Sequence, residues 1–289
     1  MNLKQVLHRA REVLAKDNLE DASLEGEILL RHALGIDRVQ LYSGLNRELS
    51  AQQEEKLWQM VQQRRNGEPT AYITGHREFY GLDFYIDRRV LIPRPETELM
   101  VEKAIALVKH RHLTTAADIG TGCGAIAVSL ALNLPQLEVY ASDVSVDALE
   151  VARINCRKHG VADRIHLMHG DMLAPLPGPV DLIVANLPYV TGPEISRSGL
   201  ANFEPRLALD GGRDGLDKIR RLCAQAGDRL QPHGSMLLEI GQGQGQSVAD
   251  LLRRYFPAAA VEVIPDPQGI ERVISLCLTP KRTTAKLVI

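Results

Sequence analysis

From residue 114 onward the chain alternates short apolar runs with stretches at helical spacing, and this alternation restricts the fold more than any other feature. Strands are predicted at Ala116–Ile119, Val139–Ser142, Ile165–Met168, Leu182–Ala185, Ser235–Glu239, Val261–Pro265 and Arg272–Leu278. Helices are predicted at Ala125–Leu132, Asp147–His159, Gly215–Leu230 and Ser247–Tyr255. Strands joined through helices pair mostly in parallel, and the helices then cover both faces of the sheet. The expectation is an α/β layer built on a mostly parallel seven-stranded sheet. In open sheets of this kind ligands bind beyond the carboxyl ends of the strands, so the residues that follow each strand are the first candidates for function.

Residues 1–75 read as helices alone. Leu3, Val6, Leu7 and Ala10, then Leu29, Leu30 and Ala33, then Leu57, Met60 and Val61 recur at helical spacing. Asp21 reads as a helix start, Gly35 as a stop and Ser50 as an N-cap. Nothing catalytic gathers there, and a small helical bundle is expected. Residues 72–92 alternate apolar and polar side chains around a turn at Gly81, the pattern of a β-hairpin. Four of the twelve aromatic residues lie between Phe79 and Tyr85, which points to packing between two parts of the chain. Pro93-Arg94-Pro95-Glu96-Thr97-Glu98 then ends the strand and starts a helix reaching about Lys109. Pro95 suits its first turn, and the acids suit its dipole. The expected organisation is a helical domain over 1–75, a hairpin linker over 76–92, an α/β domain over 93–280 and a frayed tail over 281–289.

Composition excludes several classes. Lys+Arg total 34 and Asp+Glu 36, a net −2 that supplies no general surface for nucleic acid or anionic membrane. Aromatic residues make up 4%, too few for a base-stacking surface. Cys123, Cys156, Cys223 and Cys277 are far apart and read as reduced thiols in a cytoplasmic chain. His110 and His112 are spaced as a metal pair, but they sit in a charged run and read as a solvated turn, so no metal is expected. The N-terminus lacks the apolar core of a signal peptide, and the longest apolar run, Ala125–Leu132, is too short to span a bilayer.

The motif residues follow the strands. Asp118-Ile119-Gly120-Thr121-Gly122-Cys123-Gly124 closes the first strand and opens a helix, and its glycines let the backbone turn sharply and approach a ligand. Asp143 ends the second strand, nineteen residues after Gly124, where a carboxylate can hold both hydroxyls of a ribose. Gly170-Asp171-Met172 ends the third, offering a polar and an apolar group to the edges of an adenine. The G-x-G-x-G spacing departs from the dinucleotide fingerprint G-x-G-x-x-G and disfavours a dehydrogenase. It resembles the first motif of S-adenosylmethionine-dependent methyltransferases. A second glycine run, Gly241-Gln-Gly243-Gln-Gly245, lacks an acidic strand tip at the right distance and reads as a loop closing the far side of the site.

Strand four ends in Asn186-Leu187-Pro188-Tyr189. Methylating a planar nitrogen is hard because its lone pair is delocalised. A site helps by accepting hydrogen bonds from both N–H groups, which keeps electron density on the nitrogen. The Asn186 side-chain carbonyl is one acceptor and the Leu187 backbone carbonyl a second. Pro188 keeps its predecessor extended, and Tyr189 offers a face for stacking. Catalysis is then positioning and electrostatics.

The order D-I-G-T-G-C-G, S-D, G-D-M and N-L-P-Y is similar to that of N-methyltransferases acting on planar amino groups. With Val90–Glu98 and Asn202-Phe203-Glu204-Pro205 added, the chain resembles the HemK/PrmC family of peptide chain release factor glutamine methyltransferases over nearly its whole length. The resemblance implies a class I, Rossmann-like methyltransferase fold with a small all-α N-terminal domain. It implies methylation, by S-adenosylmethionine, of the side-chain amide nitrogen of the glutamine in a Gly-Gly-Gln loop of release factors. It implies that Gly120, Thr121, Gly122, Cys123 and Gly124 hold the methionine part of the cofactor, Asp143 the ribose, and Asp171 and Met172 the adenine. Asn186 to Tyr189 would hold the acceptor glutamine. Arg94 and Glu96 would shape the entrance or simply cap a helix, and Phe203, Glu204 and Pro205 would wall the channel or simply anchor a loop. Two departures stand out: Leu187 replaces the usual proline of the tetrapeptide, and Met172 replaces an aromatic residue.

Three alternatives remain. A ribosomal-protein glutamine methyltransferase would share the chemistry, and Pro93–Glu98 favours the release-factor branch. An adenine N6-methyltransferase would need a basic groove, yet residues 1–75 hold ten Lys/Arg against eleven Asp/Glu. A non-catalytic adenosine-binding module would not need an intact Asn186–Tyr189.

Overall fold

The computed structural model describes residues 1–17, 21–198 and 202–278, so the expected tail over 281–289 lies outside the described residues. The chain divides into two compact units, Met1–His76 and Arg77–Ile289.

The first unit contains α1 (Leu3–Ala15), α2 (Ala22–Leu34), α3 (Arg38–Ser43), α4 (Ala51–Arg65) and α5 (Thr70–Thr74). The apolar residues read at helical spacing meet in one core: Leu3, Val6, Leu7 and Ala10 pack with Leu29, Leu30, Leu57 and Met60. Capping boxes start three of the helices, pairing Asn2 with Gln5, Asp37 with Gln40 and Ser50 with Gln53. Each box satisfies orphan amides of a helix's first turn. Gly35 ends α2 in the left-handed conformation at φ 65°, as its position predicted. Asp21 precedes α2 but makes no side-chain cap.

The hairpin is shorter than the alternation implied. Residues 70–74 form α5, which Gly75 stops at φ 74°, and the strands are only β1 (His76–Phe79) and β2 (Leu82–Tyr85). Tyr80 and Gly81 both have positive φ, 52° and 70°, giving a two-residue turn whose twist matches the strands. Residues 86–92 are not strand. Asp87 turns the chain there by accepting from the Arg89 amide at 3.0 Å, and Val90 and Ile92 are buried.

The second unit continues with α6 (Thr97–Arg111), β3 (Thr115–Ile119), α7 (Ala125–Asn133), β4 (Glu138–Asp143), α8 (Val146–Lys158), β5 (Ile165–His169), β6 (Val180–Ala185), α9 (Gly192–Ser198), α10 (Asp217–Ala226), β7 (Leu230–Glu239), α11 (Gly245–Tyr255), β8 (Ala259–Pro265) and β9 (Glu271–Leu278). The seven strands β3–β9 form one sheet in the order β5-β4-β3-β6-β7-β9-β8. The first five strands pair in parallel, and β9 runs antiparallel to both β7 and β8. Because β3 has β4 on one side and β6 on the other, the chain reverses its winding direction beside β3, and a crevice opens at such a point.

Three boundaries differ from the sequence reading. The helix expected over Gly215–Leu230 is only Asp217–Ala226, because Gly215 has φ 75° and Leu230 already pairs with Val180 as the start of β7. Pro95 lies before α6 rather than in its first turn. The Arg94 and Pro95 carbonyls accept from the Thr97 and Glu98 amides, forming a turn that feeds the helix. His112 caps the far end of α6 at φ 54°.

The hairpin is fastened to the sheet unit. Asn155 on α8 is fully buried; its Oδ1 accepts from the Tyr85 amide at 2.8 Å, and its Nδ2 donates to the Tyr85 and Cys123 carbonyls at 3.0 and 2.9 Å. Glu98 adds a bond from the Tyr80 amide at 2.9 Å. Asn155→Ala would strand three backbone groups at once. It should destabilise the chain by about 2–4 kcal/mol in denaturant unfolding, and a loss under about 0.5 kcal/mol would contradict this account.

Candidate active site

A cavity of about 280 Å³ opens at the carboxyl edge of the sheet. The ladder register places its walls. Ile119 pairs with Ser142 on one side and with Ala185 on the other. The next residue along each strand is Gly120, Asp143 and Asn186, and all three line the cavity.

The glycine loop is tied to β4. The amides of Gly120 and Thr121 donate to the Ser142 carbonyl at 2.9 and 3.0 Å, and the Gly122 amide donates to Asp143 Oδ2 at 2.9 Å. Gly120 has φ 72°, and a Cβ there would come within 3.3 Å of Leu187 Cδ2. Asp143 Oδ1 accepts from the Ser145 amide at 2.9 Å, so main-chain donors hold both carboxylate oxygens at the cavity wall. Burial raises the pKa of Asp143, while the Ser145 and Gly122 amides oppose that rise.

Thr121, Cys123 and Gly124 are not on the cavity wall. They shape the loop from behind. The Thr121 hydroxyl donates to Asp118 at 2.7 Å, the Cys123 thiol is buried and pushed up to about 12, and Gly124 sits at φ 82° against Ala152. Asp118 is fully buried, and its Oδ2 also accepts from the Ala127 amide at 3.1 Å. Its Oδ1 has no partner among the described residues, and burial pushes the carboxyl up to about 7.

Asp171 and Met172 face the cavity from the end of β5. Arg221 and Gln225 of α10 hold the Asp171 carboxylate at 2.7 and 3.1 Å. Met172 has φ 50°, a strained conformation for a side chain, and the Ser142 hydroxyl anchors its carbonyl at 2.8 Å.

Asn186, Leu187 and Pro188 line the cavity, and Tyr189 does not. Asn186 Nδ2 donates to Thr97 Oγ1 at 3.0 Å, which leaves Oδ1 for the cavity. Leu187 is buried against the glycine loop. Tyr189 is half-buried among Glu239, Arg272, Arg94 and Glu96, and burial with the Glu239 charge pushes its hydroxyl up to about 12. The second glycine run lies here: a Cβ on Gly241 would meet Tyr189 Cδ2 at 3.1 Å, and Gln244 donates to the Tyr189 carbonyl at 3.4 Å.

Of the residues expected at the entrance, only Pro205 lines the cavity. Glu204 is buried and anchors the loop, accepting from the Ile92 amide at 3.2 Å and from Arg94 at 2.5 Å. Phe203 lies under the Arg88 guanidinium at 5.7 Å. Glu96 occupies the N-cap position of α6 without a side-chain cap and faces Arg272 at 3.9 Å. Among the described residues no cluster could hold a metal ion, and no helix is long and apolar enough to cross a membrane.

Several contributors were missed by sequence reasoning. Val90 and Leu91 line the cavity from the segment after the hairpin. Gly211 packs on the tetrapeptide, where a Cβ would meet Tyr189 Cα at 2.6 Å and the Pro188 carbonyl at 2.8 Å. Glu239 ends an apolar strand, and an acid at a strand tip was the available signal.

Sheet order, switch point and strand-end residues together define a class I methyltransferase. Residues 5–75 match the PrmC N-terminal domain and residues 97–203 the methyltransferase small domain. A release factor glutamine methyltransferase of Moorella thermoacetica is 45% identical over 276 residues, spanning 94% of this chain and 97% of its own. The chain belongs to the release factor glutamine methyltransferase family. A relative of the same name from Bradyrhizobium diazoefficiens is 41% identical over 284 residues, 94% of each chain. A solved methyltransferase from Pyrococcus furiosus, 19% identical, shares the fold with a TM-score of 0.51 across 70% of this chain and 91% of its own.

Three outcomes are expected. Folded Asp118 keeps its proton to about pH 7, against an ordinary value of 3.8. Between those values the folded chain binds the extra proton, so stability falls as pH rises across that window. Asp118→Asn removes this share, and its Tm should decline less than wild type between about pH 4 and about pH 7. Asp143→Ala should weaken cofactor binding at least about tenfold in titration calorimetry; unchanged affinity would remove Asp143 from the site. Gly211→Ala should lower kcat while the cofactor Kd moves less than about twofold, since the added methyl presses on the tetrapeptide backbone and not on the glycine loop.

Proposed function

We propose that the chain transfers the methyl group of S-adenosylmethionine to the side-chain amide nitrogen (N5) of the glutamine in the Gly-Gly-Gln loop of peptide chain release factors. The carrying observation is the Asn186 amide, tied through Nδ2 to Thr97 with Oδ1 left for a cavity that the glycine loop also lines. Its relatives over almost the whole chain bear the matching name.

The cavity fits the cofactor by its donor set. Gly120 and Gly122 would admit the methionine part beside open backbone, and the Asp143 carboxylate on the cavity wall would accept from the ribose hydroxyls. Met172 and Val144 give apolar flanks for an adenine, with Asp171 at its edge. When bound, the cofactor supplies a methyl group activated by a sulfonium.

The rest falls to the protein. Asn186 Oδ1 and the Leu187 carbonyl accept from the two N–H groups of the glutamine amide. That keeps electron density on its nitrogen and aims the lone pair at the methyl. Pro188 holds Leu187 extended. Tyr189 stands beyond the cavity wall, as a backstop on the Glu96 and Arg272 side. Pro205 walls the channel, and Glu204 anchors the loop that carries it. No base is required for attack, because the methylated amide loses its proton to water afterwards. The helical unit is the substrate-recognition domain, the hairpin its connection, and residues 93–280 the catalytic domain. The partner is a protein in the cytoplasm, with neither nucleic acid nor membrane needed.

Incubation with labelled S-adenosylmethionine and either a release factor or duplex DNA tests the reading. Label should reach the factor and be lost when its Gly-Gly-Gln glutamine is replaced by alanine; label on DNA, or on neither, overturns it. Asn186→Ala should cut kcat roughly 100-fold while cofactor affinity changes little. Equal loss of both would reassign Asn186 to cofactor binding.

A further inference from the structure

A buried acid stands beside Asn186. β6 and β7 run in parallel with Ala185 opposite Leu238, so Asn186 and Glu239 are the next residues along neighbouring strands. Glu239 is 3% exposed and Thr97, which opens α6, is 4% exposed. Asn186 Nδ2 donates to Thr97 Oγ1 at 3.0 Å, and the Thr97 hydroxyl and the Asn186 amide are the polar groups beside the Glu239 carboxylate that favour its ionised form. Its second oxygen, Oε2, has no partner among the described residues.

An ionised carboxylate accepts hydrogen bonds and cannot donate them. A threonine hydroxyl that receives an N–H has one proton left to give, and the Glu239 carboxylate beside it is the acceptor placed to take it. The polarity therefore runs one way, from the Asn186 N–H through the Thr97 O–H to Glu239. Turning the Asn186 amide over would set its oxygen against the carboxylate and present an NH₂ to the cavity. A glutamine amide arriving there would then meet donor against donor.

We propose that Glu239, with Thr97 as its relay, is the positioning group that fixes the Asn186 amide with Oδ1 toward the methyl acceptor. The proposal rests on the reading of Asn186 as acceptor for the substrate amide. The arrangement does not serve the fold. A buried carboxylate oxygen without a partner costs stability, and a neutral residue of equal size would remove that cost. The charges facing Glu239 are Glu96, which disfavours its ionised form, and Arg272, which favours it; Tyr189 lies on the same side. Burial pushes the Glu239 carboxyl up to about 7. Below that pH a protonated Glu239 becomes a donor and both amide orientations are allowed.

The test uses the full chain with Thr97→Val, Thr97→Ser and Glu239→Gln. Thr97→Val and Glu239→Gln should each lower kcat at least about tenfold, with cofactor Kd within about twofold. Thr97→Ser, which restores the hydroxyl, should recover most of kcat. Glu239→Gln should leave Tm unchanged or raise it. Full kcat in Thr97→Val, or a Thr97→Ser as slow as Thr97→Val, overturns the relay. A Glu239→Gln whose kcat loss is matched by a drop in Tm assigns the carboxylate to structure instead. A second readout needs no methyl acceptor. The Asn186 side-chain amide, identified by nitrogen-15 NMR through its loss in Asn186→Asp, should shift with a midpoint near pH 7. That titration should vanish in Glu239→Gln, and its absence from the wild type overturns the proposal. A wild-type chain that shows it but labels no release factor overturns the functional reading alone.

Discussion

The pairing of β3 with its two neighbours is the constraint on which the site depends. Hydrogen-bonded ladders on both sides align Ile119 with Ser142 and with Ala185. The strands then end together, and the glycine loop, Asp143 and Asn186 emerge side by side. A slip of one residue on either side would exchange every side chain of that strand between the two faces of the sheet, each packed against different helices. Burial of Ala116, Ala117, Val139, Ala141, Leu182 and Val184 makes such a slip costly. The chemistry is thus placed by packing far below it.

Three acids at this edge, Asp118 and Glu239 buried and Asp143 half-buried, show how one functional group acquires different tasks. Asp118 receives the Thr121 hydroxyl and the Ala127 amide and braces the loop from behind. Asp143 receives the Gly122 and Ser145 amides and still faces the cavity. Glu239 has beside it only the Thr97 hydroxyl and the Asn186 amide as neutral donors. Burial pushes all three toward the neutral form, and the donors each one meets decide how far. Main-chain donors come with the turn itself, so Asp143 is held by the same loop geometry that opens the cavity.

The seven strands were legible because each is an apolar run bounded by turn residues, and the core of the helical unit because its leucines repeat at helical spacing. The strand-end candidates were legible because α/β sheets bind ligands at one edge. What escaped depends on approach between distant residues. Glu204 bonding to the Ile92 amide, or Gly211 lying on Pro188, leaves no local periodicity to read. The hairpin was overextended because residues 86–92 keep the alternation of a strand while Asp87 turns the backbone. Thr121, Cys123 and Gly124 share the glycine motif, yet their side of the loop faces the helix layer. A motif gives the order of residues, and the turn decides which of them point outward.

The Asn155 clamp determines where this chain can be divided. It joins β2 to the carbonyl of Cys123, so the hairpin and the glycine loop share one side chain as support. The hairpin is consequently a part of the sheet unit that happens to precede it in sequence. An exchange of the helical module between relatives would have to join upstream of β1. A junction placed after Tyr85 would carry away the backbone on which Asn155 closes, and the loop behind the cavity would lose its brace.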